Sequence, residues 1–103
     1  MYIYNVSIKI VPEIETAWFG WMKDEHMKEV LDTGMFDQYT LFELLEPVDD
    51  EGKTYVAQYM TDSEARYKKY IDEFAPMLRE KGFKKFGNQF IAFRSIMKRI
   101  VTG

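Results

Sequence analysis

The feature that most constrains this chain is the order of its predicted elements. Strand, helix, strand, strand, helix and strand follow one another and fill nearly all of the 103 residues. A chain of this length forms one hydrophobic core, so we predict a single domain over residues 1–103. Two strand-helix-strand halves can close into one four-stranded antiparallel sheet with both helices on one face. The order alone therefore predicts an α+β fold.

Alternation of apolar and polar residues indicates the strands. In the first strand, Tyr4, Val6 and Ile8 alternate with Asn5 and Ser7, which is the pattern of a strand with one apolar face. The other three predicted strands cover residues 35–45, 54–60 and 89–97. Together with two helices, they predict the ferredoxin-like βαββαβ arrangement.

The two helices are predicted from residue spacing. The first covers residues 13–31, and its apolar stripe repeats every four residues at Trp18, Met22, His26 and Val30, which should face the sheet. Thr61 and Glu64 have the spacing of a capping box at the start of the second helix. Gly82 and the pair Gly87 and Asn88 are predicted to interrupt the chain before the last strand.

Apolar residues on both faces of a strand predict a second layer. In the last strand, Ile91, Phe93 and Met97 lie on the face opposite Phe90 and Ala92. A sheet face that meets water should be polar. We therefore predict a homodimer joined through the open sheet face, which gives a dimeric α/β barrel.

The charge balance argues against binding to nucleic acid. The chain has 14 Lys and Arg against 17 Asp and Glu, a net charge of −3, which gives no general attraction to phosphate backbones. Phe90–Phe93 resembles half of an RNA-recognition signature, but that signature belongs on the third strand, which here is Tyr55–Tyr59. Single-stranded RNA binding is the least favoured function.

The absence of cysteine restricts the chemistry. There is no disulfide, no thiolate nucleophile and no Cys-ligated metal, and the single histidine leaves too few ligands for a metal site. We assign no metal. Because the N-terminus has neither a signal peptide pattern nor a membrane span, we expect a soluble, cytoplasmic protein with no membrane partner.

Several segments resemble a known family. They are the first-strand residues 3–6, Trp18 with residues 21–26, residues 33–36 and the block at residues 86–94. This pattern, with a Trp eight residues before a His and a terminal Phe-Gly-Asn block, resembles a family of small bacterial proteins described as a domain of unknown function. That family is similar to the dimeric α/β-barrel superfamily. The resemblance covers essentially the whole chain and implies the fold and the dimer.

The wider superfamily also suggests two activities. Some members are cofactor-independent monooxygenases, and others degrade haem with an Asn, a Trp and a His. This chain has Asn5, Trp18 or Trp21, and His26, but its His lies on the first helix, whereas the haem-degrading relatives carry theirs on the later one. We therefore expect no cofactor, and the resemblance leaves haem as a disfavoured alternative.

His26 and Asn5 are the candidate catalytic residues. His26 is the only imidazole, the one side chain with an ordinary pKa near neutrality, and a structural hydrogen bond is its alternative role. In an oxygenase, His26 would act as a base or orient an acidic phenol or enol, with Asn5 as hydrogen-bond partner. That function predicts a cavity of roughly 300 Å³ or more at His26.

The candidate ligand-binding residues are Trp18, Trp21, Met22 and Arg94. The tryptophans could stack a flat ligand or simply pack in the core. Arg94, inside a strand, would pair with a carboxylate of its own chain or of its dimer mate, or would hold an anionic substrate. The leading hypothesis is a homodimer that binds a small, largely apolar or aromatic ligand between helices and sheet. The alternatives are the oxygenase and a purely structural dimerisation module.

Overall fold

A computed structural model describes all 103 residues, and its elements follow the predicted order. The strands are β1 (Tyr2–Ile10), β2 (Gln38–Glu43), β3 (Thr54–Thr61) and β4 (Phe90–Lys98). Helix α1 spans residues 12–32, and helix α2 spans residues 64–86. The strands form one antiparallel sheet in the order β2-β3-β1-β4. The predicted ferredoxin-like βαββαβ fold is therefore confirmed.

The register of the sheet sorts its side chains onto two faces. In β1, Tyr4, Val6 and Ile8 are buried against the helices. Asn5 between them points the other way and lies opposite Gln58 of β3 and Ser95 of β4. The pairings β1–β3, β1–β4 and β2–β3 extend this division across the whole sheet. Every strand therefore divides its residues between a helix-covered face and an open face.

Helix α1 changes its winding near the middle. Its four segments are Pro12–Ile14, Glu15–Trp21, Met22–His26 and Met27–Asp32, of which the third is a π-helical turn. A π turn inserts an extra residue into the helical repeat. The buried stripe therefore passes from Met22 to Met27, which is almost fully buried, while His26 is displaced to the edge of the core. The predicted stripe is wrong at that one position.

Helix α2 begins two residues later than the capping box predicts. Thr61 is the last residue of β3 and is completely buried, and its hydroxyl accepts a hydrogen bond from the Ser63 backbone N–H. Ser63 is the N-cap, because its hydroxyl accepts the Arg66 backbone N–H at 3.2 Å. The cap is of the expected chemical type, but the prediction assigned it to the wrong hydroxyl.

Glycine has two different roles near the end of α2. The prediction that Gly82 interrupts the chain is wrong, because the helix continues to Phe86 and Gly82 is buried within it. A Cβ at Gly82 would lie 3.1 Å from Cη2 of Trp21, so a residue without a side chain lets the two helices approach closely. Gly87, with φ +61°, ends the helix at the second of the two predicted breaks.

Strand β2 is shorter than predicted at both ends. The chain between α1 and β2 buries Phe36 in the core, and pairing with β3 begins only where the Asp37 backbone N–H donates to the Met60 carbonyl at 2.8 Å. The strand ends at Glu43 rather than Leu45. The Phe36 side chain therefore reaches the core from a loop and not from a strand.

The open face of the sheet carries many apolar side chains. Its apolar members, fixed by the register, are Ile3, Phe42, Val56, Met60, Ile91, Phe93 and Met97. Phe93 and Ile91 are 69% and 57% exposed in the single chain. The predicted placement of apolar residues on both faces of the strands is thus correct. None of the helices combines the length and apolarity needed to cross a bilayer.

Candidate ligand cleft

Two small recesses adjoin each other between the helices and the sheet. Their volumes are about 50 Å³ and about 40 Å³. Six residues line both of them: Val6, Ile8, Met22, His26, Arg79 and Arg94. We call the space around these six residues the helix-side cleft. Neither recess reaches the roughly 300 Å³ expected beside His26 for the oxygenase.

The aromatic wall of the cleft is formed by Trp21 and His26. Their rings are stacked, with centroids 4.6 Å apart and planes inclined by 23°. The edge of Phe86 meets the Trp21 ring at 5.5 Å, and Gly82 leaves room for the indole. Because the π turn moves His26 off the core stripe, it comes to lie beside Trp21 rather than under the helix. The stack therefore follows from the local winding of α1.

Trp18 and Met22 form the floor of the larger recess. Both side chains are almost completely buried, and the Trp18 ring packs against Tyr55 at 5.1 Å. Trp18 is thus a core residue that also borders the cleft. Met22 is the more adaptable of the two, because its unbranched thioether can change rotamer at little cost.

Burial controls the charge of His26. It lowers the pKa of the imidazole to about 4, with Glu29 opposing this shift and Arg94 and Lys81 reinforcing it. The carboxylate of Glu29 is itself held by Lys81 at 2.7 Å. His26 is consequently neutral at pH 7 and presents an uncharged aromatic ring with one acceptor nitrogen to the cleft.

Two arginines stand at the mouth of the cleft without a carboxylate. The guanidinium of Arg79 donates to the Tyr4 hydroxyl at 3.0 Å. Arg94 projects from the helix-side face of the edge strand β4. Neither forms an ion pair, in contrast to Arg66, which pairs with Asp37. No Asp or Glu lines either recess, so the expected pairing of Arg94 with a carboxylate of its own chain is not present.

Tyrosine hydroxyls complete the polar lining of the smaller recess. Tyr4, Tyr59 and Tyr70 all border it. Burial raises the pKa of Tyr59 and of Tyr70, and the neighbouring Arg79 and Arg94 partly offset the rise at Tyr70. Both hydroxyls therefore stay protonated at neutral pH and can donate hydrogen bonds.

Asn5 does not belong to this cleft. It lies on the open face of the sheet, where its side-chain oxygen accepts a hydrogen bond from the Gln58 amide at 3.1 Å. His26, Trp18 and Trp21 lie on the helix-covered side. The sheet separates the two candidate catalytic residues, so Asn5 cannot be a hydrogen-bond partner to a substrate at His26. The Asn, Trp and His set of the haem-degrading relatives is likewise not assembled, and these residues do not fit a haem.

The largest concavity lies elsewhere. It is an open groove of about 730 Å³ between α1 and β2, lined among others by Phe19, Leu41 and Phe42. None of the predicted site residues borders it. No group of three or more His, Cys, Asp and Glu side chains is placed to hold a metal ion.

The open face also lacks the aromatic platform of an RNA-recognition module. Tyr55 and Tyr59 of β3 point towards the helices and are buried. The open face of that strand carries Val56, Gln58 and Met60 instead. Bases stacked on a third strand would find no aromatic ring there.

Arg79 is the cleft residue that the sequence analysis missed. A signal was available, because Arg79 lies four residues after Ala75 and three before Gly82, both of which are buried. That spacing puts Arg79 on the inner side of α2. The wrong expectation that Gly82 interrupts the chain hid this spacing.

Comparisons with known proteins agree with the fold. A family model described as a domain of unknown function, DUF4286, matches residues 1–100. No curated protein is significantly similar in sequence. A solved structure of a dimeric ferredoxin-like protein from an uncultured marine organism has 10% identity and a TM-score of 0.73, and covers 99% of this chain and 97% of its own.

Two further solved structures are similar in the same way. An ethyl tert-butyl ether d (EthD) family protein from Bacillus halodurans has 12% identity and a TM-score of 0.66, covering 97% of this chain and 100% of its own. SnoaB, a cofactor-independent oxygenase from Streptomyces nogalater, has 12% identity and a TM-score of 0.61, covering 98% and 95%. At these identities the likeness establishes the fold alone.

Proposed function

We propose, from the premise that this chain belongs to the DUF4286 family of domains of unknown function, that it is a homodimeric α/β-barrel domain that binds a small, apolar or aromatic ligand. The family membership confirms the resemblance inferred from the sequence, but it brings no activity. The function must therefore be argued from the sites, which are the open sheet face and the helix-side cleft.

The homodimer is supported by the composition of the open sheet face. Lys9 is the only charged side chain among its strand residues, and it pairs with Asp49 and Glu51 of the connection between β2 and β3. Soluble monomers seldom expose a contiguous apolar patch of this kind. A similar solved structure is described as dimeric. Burying Phe93 and Ile91 against a second copy would remove the two most exposed apolar side chains of the face from water.

Ligand binding is supported above all by one observation: Trp21 and His26 present stacked rings to a cleft that also has an apolar floor. A benzene-sized guest needs a cavity of about 150 Å³, which is larger than either recess. Arg94 borders both recesses, is exposed and forms no side-chain hydrogen bond, so its side chain can rotate outward. Such a movement would join the recesses into one site for a planar guest.

The two indole N–H groups offer a direct test of this proposal. Trp18 and Trp21 are the only tryptophans, and both border the larger recess. Titration with small aromatic compounds should shift both indole signals in a nitrogen–proton correlation spectrum and leave the open-face residues unchanged. Shifts confined to the open face, or no shift with any compound, would contradict the proposal.

A pair of matched variants locates the site. Ala92 borders the larger recess from β4, whereas Ala17 is exposed on α1. Ala92→Phe should fill the recess and abolish the titration, because the new ring occupies the space that the ligand needs. Ala17→Phe adds the same ring outside the cleft and should leave the titration as in the wild type.

A cofactor-independent oxygenase is the second candidate. It is supported by the neutral imidazole of His26 in an apolar setting, and the similar fold of SnoaB, itself such an oxygenase, is compatible with it. A base with a pKa of about 4 accepts a proton poorly at pH 7, however. Binding is thus better supported than catalysis. Oxygen consumption with an acidic phenol, lost in His26→Gln, would reverse that order.

A further inference from the structure

We propose that the ligand of the helix-side cleft is a small planar organic acid whose ionised carboxylate is held by Arg79 and Arg94. This inference rests on the proposed function, because it specifies the chemistry of the same ligand. It assigns a binding role to Arg79, which lies on α2, and it explains why two cations border a cleft without any acidic side chain.

The charges of the cleft carry the argument. The whole chain has a net charge of −3, and seven of its 14 basic side chains form an ion pair with a carboxylate. Arg79 and Arg94 are different, because they border the same two recesses and neither has a carboxylate within 4.0 Å. Two guanidinium groups at one cleft favour the binding of an anion there.

The neighbouring groups favour a carboxylate on an aromatic ring. A guanidinium presents a planar fork of donors that matches the two oxygens of a carboxylate. The Arg79 guanidinium is already oriented by its hydrogen bond to Tyr4, and the protonated Tyr70, which lines the same smaller recess, is a further hydrogen-bond donor. The stacked Trp21 and His26 rings line the same larger recess as the two arginines. An aromatic ring could therefore lie against them while its carboxylate reaches the arginines.

Benzoate and benzamide provide the direct comparison, because they share shape and differ in charge. We expect benzoate to bind about tenfold more tightly than benzamide, since a charge-assisted hydrogen bond is the stronger kind. In Arg94→Gln this preference should be lost, because the binding of benzoate should weaken towards that of benzamide. Arg94→Lys keeps the charge without the planar fork and should keep part of the preference. Affinity would be measured by calorimetry and by the indole signals.

Two more variants complete the test. Arg79→Gln should also remove the preference for benzoate, and Arg99→Gln, which lies outside the cleft, should retain it. Since Arg79→Gln removes the bond to Tyr4, its thermal unfolding is measured in parallel. Arg94 makes no such bond, so that variant decides if Arg79→Gln does not fold.

The outcomes separate the two proposals. Equal binding of benzoate and benzamide at the indoles, or a preference that survives in Arg94→Gln, would overturn the acid while leaving ligand binding intact. Failure of both compounds to bind up to about 10 mM would contradict ligand binding and the acid together. A preference for benzoate that depends on both arginines supports both.

Discussion

At the scale of single residues, His26 is the most informative position. Its imidazole is held between the Trp21 ring and the cleft, where burial favours the neutral form over the charged one. Arg94 acts in the same direction, because a second positive charge nearby opposes protonation. His26 therefore lowers the free energy of unfolding in acid.

The sign of this effect can be measured. The pKa of His26 is about 4 in the folded state and 6.5 when unperturbed, so the unfolded chain binds the proton more tightly between these values. Relative to His26→Gln, the wild type should lose about 2 kcal/mol of unfolding free energy between pH 7 and pH 4.5. Urea unfolding of both proteins at one fixed protein concentration gives the value. An equal difference at the two pH values would show that His26 titrates normally.

At the scale of elements, the start of helix α2 depends on one hydroxyl. Ser63 satisfies the free Arg66 N–H, and removing such a cap costs about 1 kcal/mol. Ser63→Ala should therefore lower the unfolding free energy by that amount in chemical denaturation. Asp62→Ala, at the exposed neighbouring position, is the control and should change it by less than about 0.5 kcal/mol. A silent Ser63→Ala would indicate that the helix begins elsewhere.

The strands were predictable from the sequence because their side chains alternate with a period of two. That same parity places Arg94 with Phe90 and Ala92 on the helix side, and it places Asn5 on the open face. The π turn in α1 was not predictable, because an extra residue in a helical repeat leaves apolar spacing that fits an ordinary helix almost as well. For this reason the spacing predicted His26 in the core, at a place that Met27 takes in the structure.

The cleft was predictable only in part. Five of the predicted site residues do line the larger recess, namely His26, Trp18, Trp21, Met22 and Arg94. Arg79 was missed because the expectation that Gly82 interrupts the chain hid the helical spacing that places Arg79 on the inner side of α2. Gly82 is instead buried within α2, where it meets Trp21 in a contact between two helices far apart in the sequence. Contacts of that kind are set by tertiary packing, and neither periodicity nor capping patterns report them.

At the scale of the whole molecule, the two faces of the sheet have different tasks. The helix-covered face holds a core of large aromatic side chains with the cleft at its edge. The open face is apolar without being covered in the single chain. A second copy placed against it would give each chain the buried second layer that its strand sequences indicate.

Sedimentation velocity at micromolar concentration tests this central claim most directly, with Phe93→Lys and Phe83→Lys as a matched pair. Phe93 lies on the open face and Phe83 on the outer surface of α2, and both are more than 60% exposed. We expect the wild type and Phe83→Lys to sediment at twice the 12.3 kDa chain mass, and Phe93→Lys to sediment as a folded monomer. A monomeric wild type, or a Phe93→Lys variant that stays dimeric, would contradict a dimer joined through the sheet.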